Sequence, residues 1–373
     1  MANTSKGIHG MIRIYDESYW VVPVVKQEKN FFNWYAESNR YKNKFKALES
    51  AGNDINSVGF YYANPTFDDL DWTTEPSQSW DSMLIQRAHQ VRESFDYIRL
   101  WYSAGSDSQT MLNVFLNEGI HIDEICCHLV SPIDDFSATN NIEQNEVALP
   151  FLDSIKSSIP KTKITINYLG REHYNKRLTD NWLYESFDMS MIKDQPDALY
   201  ETGTVTEVDG NFCDLQGGDK PVLVLENGDY YCLMVDETFA SRINSEHLEE
   251  FFITPNFPEM QVKQCYIALK YLKETYPNQE SGVIKGVLRM EIEQKTGMRH
   301  PLYKDVDLGK ETSTVVGNKS NSLFEQANRD NPEVYKKHTA LLEYEAGRYT
   351  DRFNNGDLYQ GFRGILSGRY KLS

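Results

Sequence analysis

Between residues 81 and 169 the apolar positions of the chain switch repeatedly between two periods. Leu84, Ala88, Val91 and Phe95 recur at the spacing of one helical face, which predicts a helix over 81–95 with Asp81 or Ser82 as its N-cap. Tyr97-Ile98-Arg99-Leu100-Trp101-Tyr102 follows as a run of strand length. A polar stretch of small residues, 103–108, comes next. Met111, Leu112, Phe115 and Leu116 then predict a helix over 109–117, stopped by Gly119. Residues 122–130 read as a second strand, 141–157 as a helix bent or restarted at Pro150, and 163–169 as a third strand. Strands alternating with helices predict an α/β fold, a parallel sheet with helices on both faces. Ligands in such sheets sit at the carboxyl ends of the strands, and residues 103–108 occupy one of those ends.

The flanks follow other patterns. Residues 12–15 and 20–25 read as short strands, 30–50 as helical and charged, and 63–80 as a connector rich in Asp and Pro. Apolar runs at 222–225 and 230–235 flank Glu226-Asn227-Gly228-Asp229, a strong hairpin signature. Pro258 opens a helix with Val262, Cys265, Leu269 and Leu272 on one face. From about 281 the sequence is polar and helix-rich, and its last residues, 364–371, are basic and read as an exposed tail or a flap over a bound ligand. The organisation expected is an N-terminal α+β extension over 1–80, a main domain over 81–280 and a helical C-terminal region over 281–373.

Composition narrows the function classes. With 13% aromatic residues in 373, the chain can bury a large core. A formal net charge of −17 opposes a broad nucleic-acid footprint, though not a local basic groove. The five cysteines, two of them adjacent (Cys126 and Cys127), form no CxxC pair and point to buried free thiols in a reducing compartment. His121 and His128 are placed by strand periodicity on opposite faces, which argues against joint metal binding. No apolar run is long enough to span a membrane and the N-terminus lacks an apolar signal core, so a cytoplasmic location is expected.

The chemistry concentrates at 103–108. Small residues between a strand and a helix let backbone N–H groups approach an anion, the helix adds its positive N-terminal dipole, and Ser103, Ser106 and Ser108 add hydroxyls. Asp107 within such a cradle has two readings: it bridges to phosphate through Mg²⁺, or it caps the following helix. The loop is not a Walker A sequence, since no Gly-Lys-Ser/Thr follows.

Tyr102-Ser103-Ala104-Gly105-Ser106-Asp107-Ser108 resembles the PP-loop, Ser-Gly-Gly-x-Asp-Ser, of the N-type ATP pyrophosphatases. These include the synthetase domains of asparagine synthetases. The preceding Arg87-Ala88-His89-Gln90-Val91-Arg92 and Phe95-Asp96-Tyr97-Ile98 are similar to the helix and strand that lead into that loop. Ala104 stands at the family's first glycine, a departure that puts full activity in doubt. The resemblance covers roughly residues 80–275. It implies an adenine nucleotide alpha hydrolase-like fold, with ATP on Ser103, Ala104, Gly105, Ser106, Asp107 and Ser108 and with adenine near Leu129 and Val130, which read equally well as core strand.

Gln216-Gly217-Gly218-Asp219-Lys220-Pro221 loosely resembles the second loop of asparagine synthetases. Gly217 and Gly218 would then approach phosphate, Asp219 would join Asp107 on Mg²⁺, and Lys220 would offset charge on leaving pyrophosphate. The plain alternative is a turn ahead of the hairpin. Lys263 matches the place of a basic residue in the family, but also reads as a surface lysine. Asp134, Asp135, Asn141, Glu143 and Glu146 read mainly as solvated.

The cysteine pairs of the sulfur-transferring PP-loop enzymes and the zinc cluster of the deazaguanine-forming branch have no counterpart here. The first cysteine is Cys126, so the chain resembles the synthetase half without a glutaminase domain, as do asparagine-synthase-related proteins of some large bacteriophages. The expected reaction is adenylation of a small-molecule carboxylate or carbonyl oxygen with release of pyrophosphate, followed by attack of an amine. The amine would come from free ammonia or a separate glutaminase. A non-catalytic nucleotide-binding protein and an enzyme modifying a nucleotide or nucleic acid remain alternatives.

Overall fold

The computed structural model describes residues 32–41, 44–52, 58–62, 64–130, 144–169, 208–217, 222–226, 228–235, 247–275, 282–283, 332 and 366–372. The expected strands at 12–15 and 20–25 lie outside these residues. The chain first forms a hairpin, β1 (Phe32–Ala36) and β2 (Asn39–Tyr41), and then α1 (Lys44–Ser50). A strand, β3 (Val58–Tyr62), pairs antiparallel with β1 to complete a three-stranded sheet. The hairpin corrects the first part of the helix expected across 30–50, while α1 bears out its second part. Trp34 and Ala36 are buried while Tyr35 between them is 44% exposed, which is the two-residue period of a strand. Glu37, at φ 53°, makes the turn.

A short helix, α2 (Asn64–Asp68), begins the connector, and α3 (Trp80–Ser94) ends it. The N-cap of α3 is Ser79, whose hydroxyl accepts from the Ser82 N–H at 3.2 Å; Asp81 sits in the first turn, where its charge favours the helix dipole. The cap thus falls two or three residues ahead of its expected position. Lys263 pins the connector, donating to Glu75 and to the Pro76 carbonyl, and is not a simple surface lysine.

The main sheet is parallel and has five strands. β4 (Tyr97–Trp101), α4 (Ser106–Asn117), β5 (Glu124–Val130), a π-helical turn (Gln144–Ala148) running into α5 (Leu149–Ile155), and β6 (Lys163–Leu169) follow in succession. The pause at Pro150 and the halt at Gly119 (φ 64°) match the sequence reading. β7 (Phe212–Gln216) pairs on the other side of β4. Beyond it the chain leaves to form the expected hairpin β8 (Val222–Glu226) and β9 (Asp229–Val235), closed by the Glu226–Asp229 pair with Gly228 at φ 85°. It returns as β10 (Leu248–Glu250), parallel to β7. The order across the sheet is β10-β7-β4-β5-β6.

Alternation along these strands sorts the side chains. Ile98, Leu100, Ile125, Cys127, Leu129, Cys213 and Leu215 join one large apolar cluster with Leu84, Ala88 and Val91 of α3 and Met111, Leu112 and Phe115 of α4. The helix α6 (Glu259–Thr275) packs there too, burying Val262, Cys265, Leu269 and Leu272 as its periodicity predicts. Arg87 of α3 locks this layer together. It is 1% exposed, pairs with Glu249 and donates to the Phe251 and Glu250 carbonyls. All five cysteines are buried and free, as expected.

Two further strands, β11 (Gly282–Val283) and β12 (Leu366–Lys371), flank the hairpin in a four-stranded antiparallel sheet, β11-β8-β9-β12. The basic C-terminal segment is therefore a strand rather than an exposed tail. Tyr370 and Leu372 are buried, and Tyr370 stacks on Trp72 with centroids 4.4 Å apart. Apart from helical residue 332, the remainder of the expected helical region lies outside the described residues.

Candidate functional site

The strand order changes direction at β4: the chain steps from β4 to β5 to β6 on one side, then crosses to β7 and β10 on the other. Such a switch leaves a crevice at the carboxyl ends of the two strands where the connections diverge, here β4 and β7. Residues 103–108 leave β4 at this point, and Gln216 and Gly217 leave β7 beside it. The two loops touch. A Cβ built on Gly217 would lie 2.6 Å from the Asp107 Cβ and 3.2 Å from Cε2 of Phe252. Glycine is thus required at 217 for close approach, not for a turn.

The loop itself is shorter than expected, because α4 begins at Ser106 and not at 109. Ser and Asp read as loop formers, yet in a first helical turn they are favourable. Gly105 is the N-cap and makes no side-chain capping bond, so Asp107, in the first turn, is not the cap. Ser108 is 5% exposed and closes the loop on itself: its hydroxyl donates to the Gly105 carbonyl at 3.1 Å and accepts from the Ser103 N–H at 3.2 Å. Ser103 is exposed.

Ala104 adopts φ 61°. That left-handed conformation costs an alanine about 1 kcal/mol. The methyl group is fully buried within the apolar cluster, which offsets part of that cost and directs the side chain into the core. An alanine therefore holds the left-handed backbone at this position.

The second face of the sheet is the feature that the sequence reading missed. Parallel strands are ordinarily apolar on both sides. Here Asp214, Arg99, Glu124 and Lys163 stand in one row across β7, β4, β5 and β6, each paired in register with the next. Charges alternate along this row. Arg99 donates to Asp214 at 2.9 Å and to Glu124 at 3.3 Å, and Lys163 lies 3.2 Å from Glu124. Arg99, Glu124 and Asp214 are each no more than 2% exposed. Tyr97 and Thr165 donate hydroxyls to Glu124, and the Trp101 indole N–H donates to Asp214 at 2.8 Å.

Toward the carboxyl ends the Trp101 ring stacks on His128 with centroids 4.4 Å apart and planes 10° apart, and Asn167 lies 3.5 Å from the His128 Nδ1. The signal available in sequence was a charged residue at alternate positions in strands too central to be exposed.

This environment sets protonation. Burial alone would push the Glu124 carboxyl up, but the Thr165 hydroxyl, the Lys163 ammonium and the Tyr97 phenol outweigh it and hold it below its ordinary value. Because the folded value lies below the unfolded one, the stability Glu124 contributes is present above the ordinary glutamate range and is lost as pH falls through the folded value. Glu124→Gln is therefore expected to flatten the acid limb of the stability profile below about pH 4.3. Denaturant titrations from neutral to acid pH measure this, and an unchanged acid limb would remove Glu124 as its source. Burial, first among the causes, pushes the thiols of Cys126, Cys213 and Cys265 well up, which keeps them protonated and poorly nucleophilic.

Of the residues singled out in sequence, Ser103, Ala104, Gly105, Ser106, Asp107, Ser108 and Gly217 gather at the switch point. The Leu129 side chain is 2% exposed in the apolar cluster, as the core-strand reading has it, and Val130 ends β5. His121 precedes β5 and lies 3.4 Å from Asp123, well away from His128. Glu146 is exposed. Gly218, Asp219, Lys220, Asp134, Asp135, Asn141 and Glu143 lie outside the described residues. Among the described residues no group of three or more His, Cys, Asp or Glu could hold a metal by itself, and no helix is long and apolar enough to cross a membrane.

Gly217→Ala tests the contact between the loops. The added methyl meets backbone-proximal atoms that cannot swing away, so a loss of about 1–3 kcal/mol is expected. A denaturation midpoint equal to that of the wild type would mean that the loops do not touch. Comparison of the chain with protein-family profiles, with curated proteins and with solved structures finds no match.

Proposed function

We propose that this chain is an ATP-dependent, AMP-forming ligase of the asparagine-synthetase-like type, with the triphosphate held on residues 103–108. The observation that carries the reading is the position of the PP-loop-like sequence at the switch point of the parallel sheet, with the Asp107 side chain against Gly217 of the second glycine-containing loop. The strand order, the uncapped start of α4 and the inward methyl of Ala104 support an anion cradle of the adenine nucleotide alpha hydrolase type.

The residues present fit a Mg²⁺ ion bound together with phosphate. Mg²⁺ takes one or two protein carboxylates and fills its shell with phosphate oxygens and water. Asp107 offers one carboxylate at the crevice, and Asp219 would be the second. Bound there, the ion would neutralise phosphate charge. The chain's own contributions are positional. Ser108 fixes the loop, Ser103 presents an exposed hydroxyl, the first turn of α4 aligns its dipole with developing negative charge, and Lys220 would stabilise the departing pyrophosphate. A carboxylate or carbonyl oxygen of the acceptor attacks the α-phosphorus, the bond to pyrophosphate breaks, and an amine then displaces AMP. Orientation of the reactants supplies most of the rate.

The direct test is calorimetric titration with ATP and Mg²⁺, followed by pyrophosphate release across a panel of amino acids and other carboxylates with ammonium as the amine. Saturable ATP binding with acid-dependent pyrophosphate release is expected. Binding without turnover across the panel would favour a non-catalytic nucleotide-binding protein, and no binding would end the reading.

A further inference from the structure

We infer that Cys232 and Cys265 form an oxidisable pair whose disulfide fastens the antiparallel sheet to α6. The inference does not depend on the nucleotide reading above.

Two periodicities place the pair. Tyr230 and Cys232 are two apart on β9 and so stand on one face of the hairpin. Cys265 lies on the buried face of α6, with Val262, Leu269 and Leu272. The strand and the helix meet at two points. The Lys273 ammonium of α6 sits 5.3 Å from the centroid of the Tyr230 ring, and the thiols of Cys232 and Cys265 share a hydrogen bond. Sulfur atoms in that contact need only a small side-chain adjustment to reach bonding distance.

The other three cysteines are placed differently. Cys126 and Cys127 are adjacent on β5 and point to opposite faces of the sheet, one against Trp101 and the other into the large apolar cluster. Cys213 stands on β7 near Glu249 and Asp214.

Cys232 and Cys265 are each 0% exposed, and the strand neighbours of Cys232, Leu223 and Tyr370, are buried as well. Oxidation therefore belongs to a locally opened state, in which a thiolate forms and a small oxidant enters. Reclosure then shields the product. The oxidant is a peroxide. One thiolate attacks a peroxide oxygen, the O–O bond breaks, and the leaving hydroxide takes up the proton as water, giving a sulfenic acid. The second sulfur attacks the sulfenic sulfur, the S–S bond forms, and the sulfenic oxygen departs as water with the second thiol's proton. Two thiols and one hydrogen peroxide become one disulfide and two waters.

The position of Cys265 gives the bond its reach. Next to it, Gln264 donates to the Phe252 carbonyl at 2.8 Å, and Lys263 holds Glu75 and Pro76. The disulfide adds the β8–β9 hairpin to the connector and the Phe252 segment that this turn of α6 already ties together. It also closes about thirty residues of chain, which restricts the unfolded state.

The test exposes the reduced full chain to hydrogen peroxide in sub-denaturing urea, where opening is frequent and the fold persists. Thiols are counted after denaturation, and cross-linked peptides are mapped by mass spectrometry. Loss of two of the five thiols, with a peptide joining Cys232 to Cys265, is expected. The oxidised chain should unfold at a higher urea concentration than the same sample after reduction. Cys232→Ser should lose the cross-link and the shift together; should that variant fail to fold, the wild-type map decides alone. Five thiols remaining, sulfinic acid without a bond, or a bond to Cys126, Cys127 or Cys213 would overturn the pairing. A cross-link that leaves the urea midpoint unmoved would overturn the fastening.

Discussion

Replacing Arg99 with methionine is expected to cost about 3–5 kcal/mol of folding stability, the range for removing one partner of a buried ion pair. Arg99 is 1% exposed between two carboxylates that are themselves buried. The two would not suffer equally. Glu124 keeps Thr165, Tyr97 and Lys163, whereas Asp214 keeps the Trp101 indole. Most of the loss should therefore sit on Asp214, and adding Asp214→Asn to Arg99→Met should restore a large part of it. Urea denaturation of the two single variants and the double variant measures this coupling. Additive losses would show that Arg99 and Asp214 act independently.

Asp107→Ala is expected to remove pyrophosphate release, by at least about a hundredfold, with little change in stability. Loss of one preorganised electrostatic group at a reacting centre costs about 10²–10³ in rate. The N-cap of α4 is Gly105 and not Asp107, so helix start and fold should survive. Steady-state pyrophosphate release and a thermal melt of the same sample separate the two effects. Turnover at the wild-type rate would take Asp107 out of the chemistry, and a collapsed melt would make its role structural.

Much of the region around the loop is legible from residue pattern. The helix at 80–94, the strand at 97–101 and the strand at 163–169 follow from periods of 3.6 and 2, and the Asn-Gly turn announces the hairpin between β8 and β9. What stayed hidden has a common cause. β7 is five residues with Asp214 at its centre, and β10 is three residues, two of them glutamate. Neither has the apolar content of a central strand, because their polar side chains find partners far away in sequence: Asp214 in Arg99, Glu249 in Arg87, Glu250 in Gln216. Sequence pattern registers apolar periodicity, but not compensation between distant charges. The same blindness concealed the row from Asp214 to Lys163. The hairpin at 32–41 was obscured differently: the charges that gave this stretch a helical look lie mainly in α1, with Glu37 in the turn and Arg40 the other charge of the hairpin.

The antiparallel sheet carries one more implication, for the order in which the chain is built. Its strand β9 ends at Val235, yet the partner that covers its outer side, β12, is translated roughly 130 residues later, and pairings so distant in sequence form slowly. During synthesis that flank of the hairpin waits bare, an open template for any passing extended segment. The Tyr370 ring then arrives against Trp72, from near the start of the described chain, so one late strand joins early and late parts of the polypeptide.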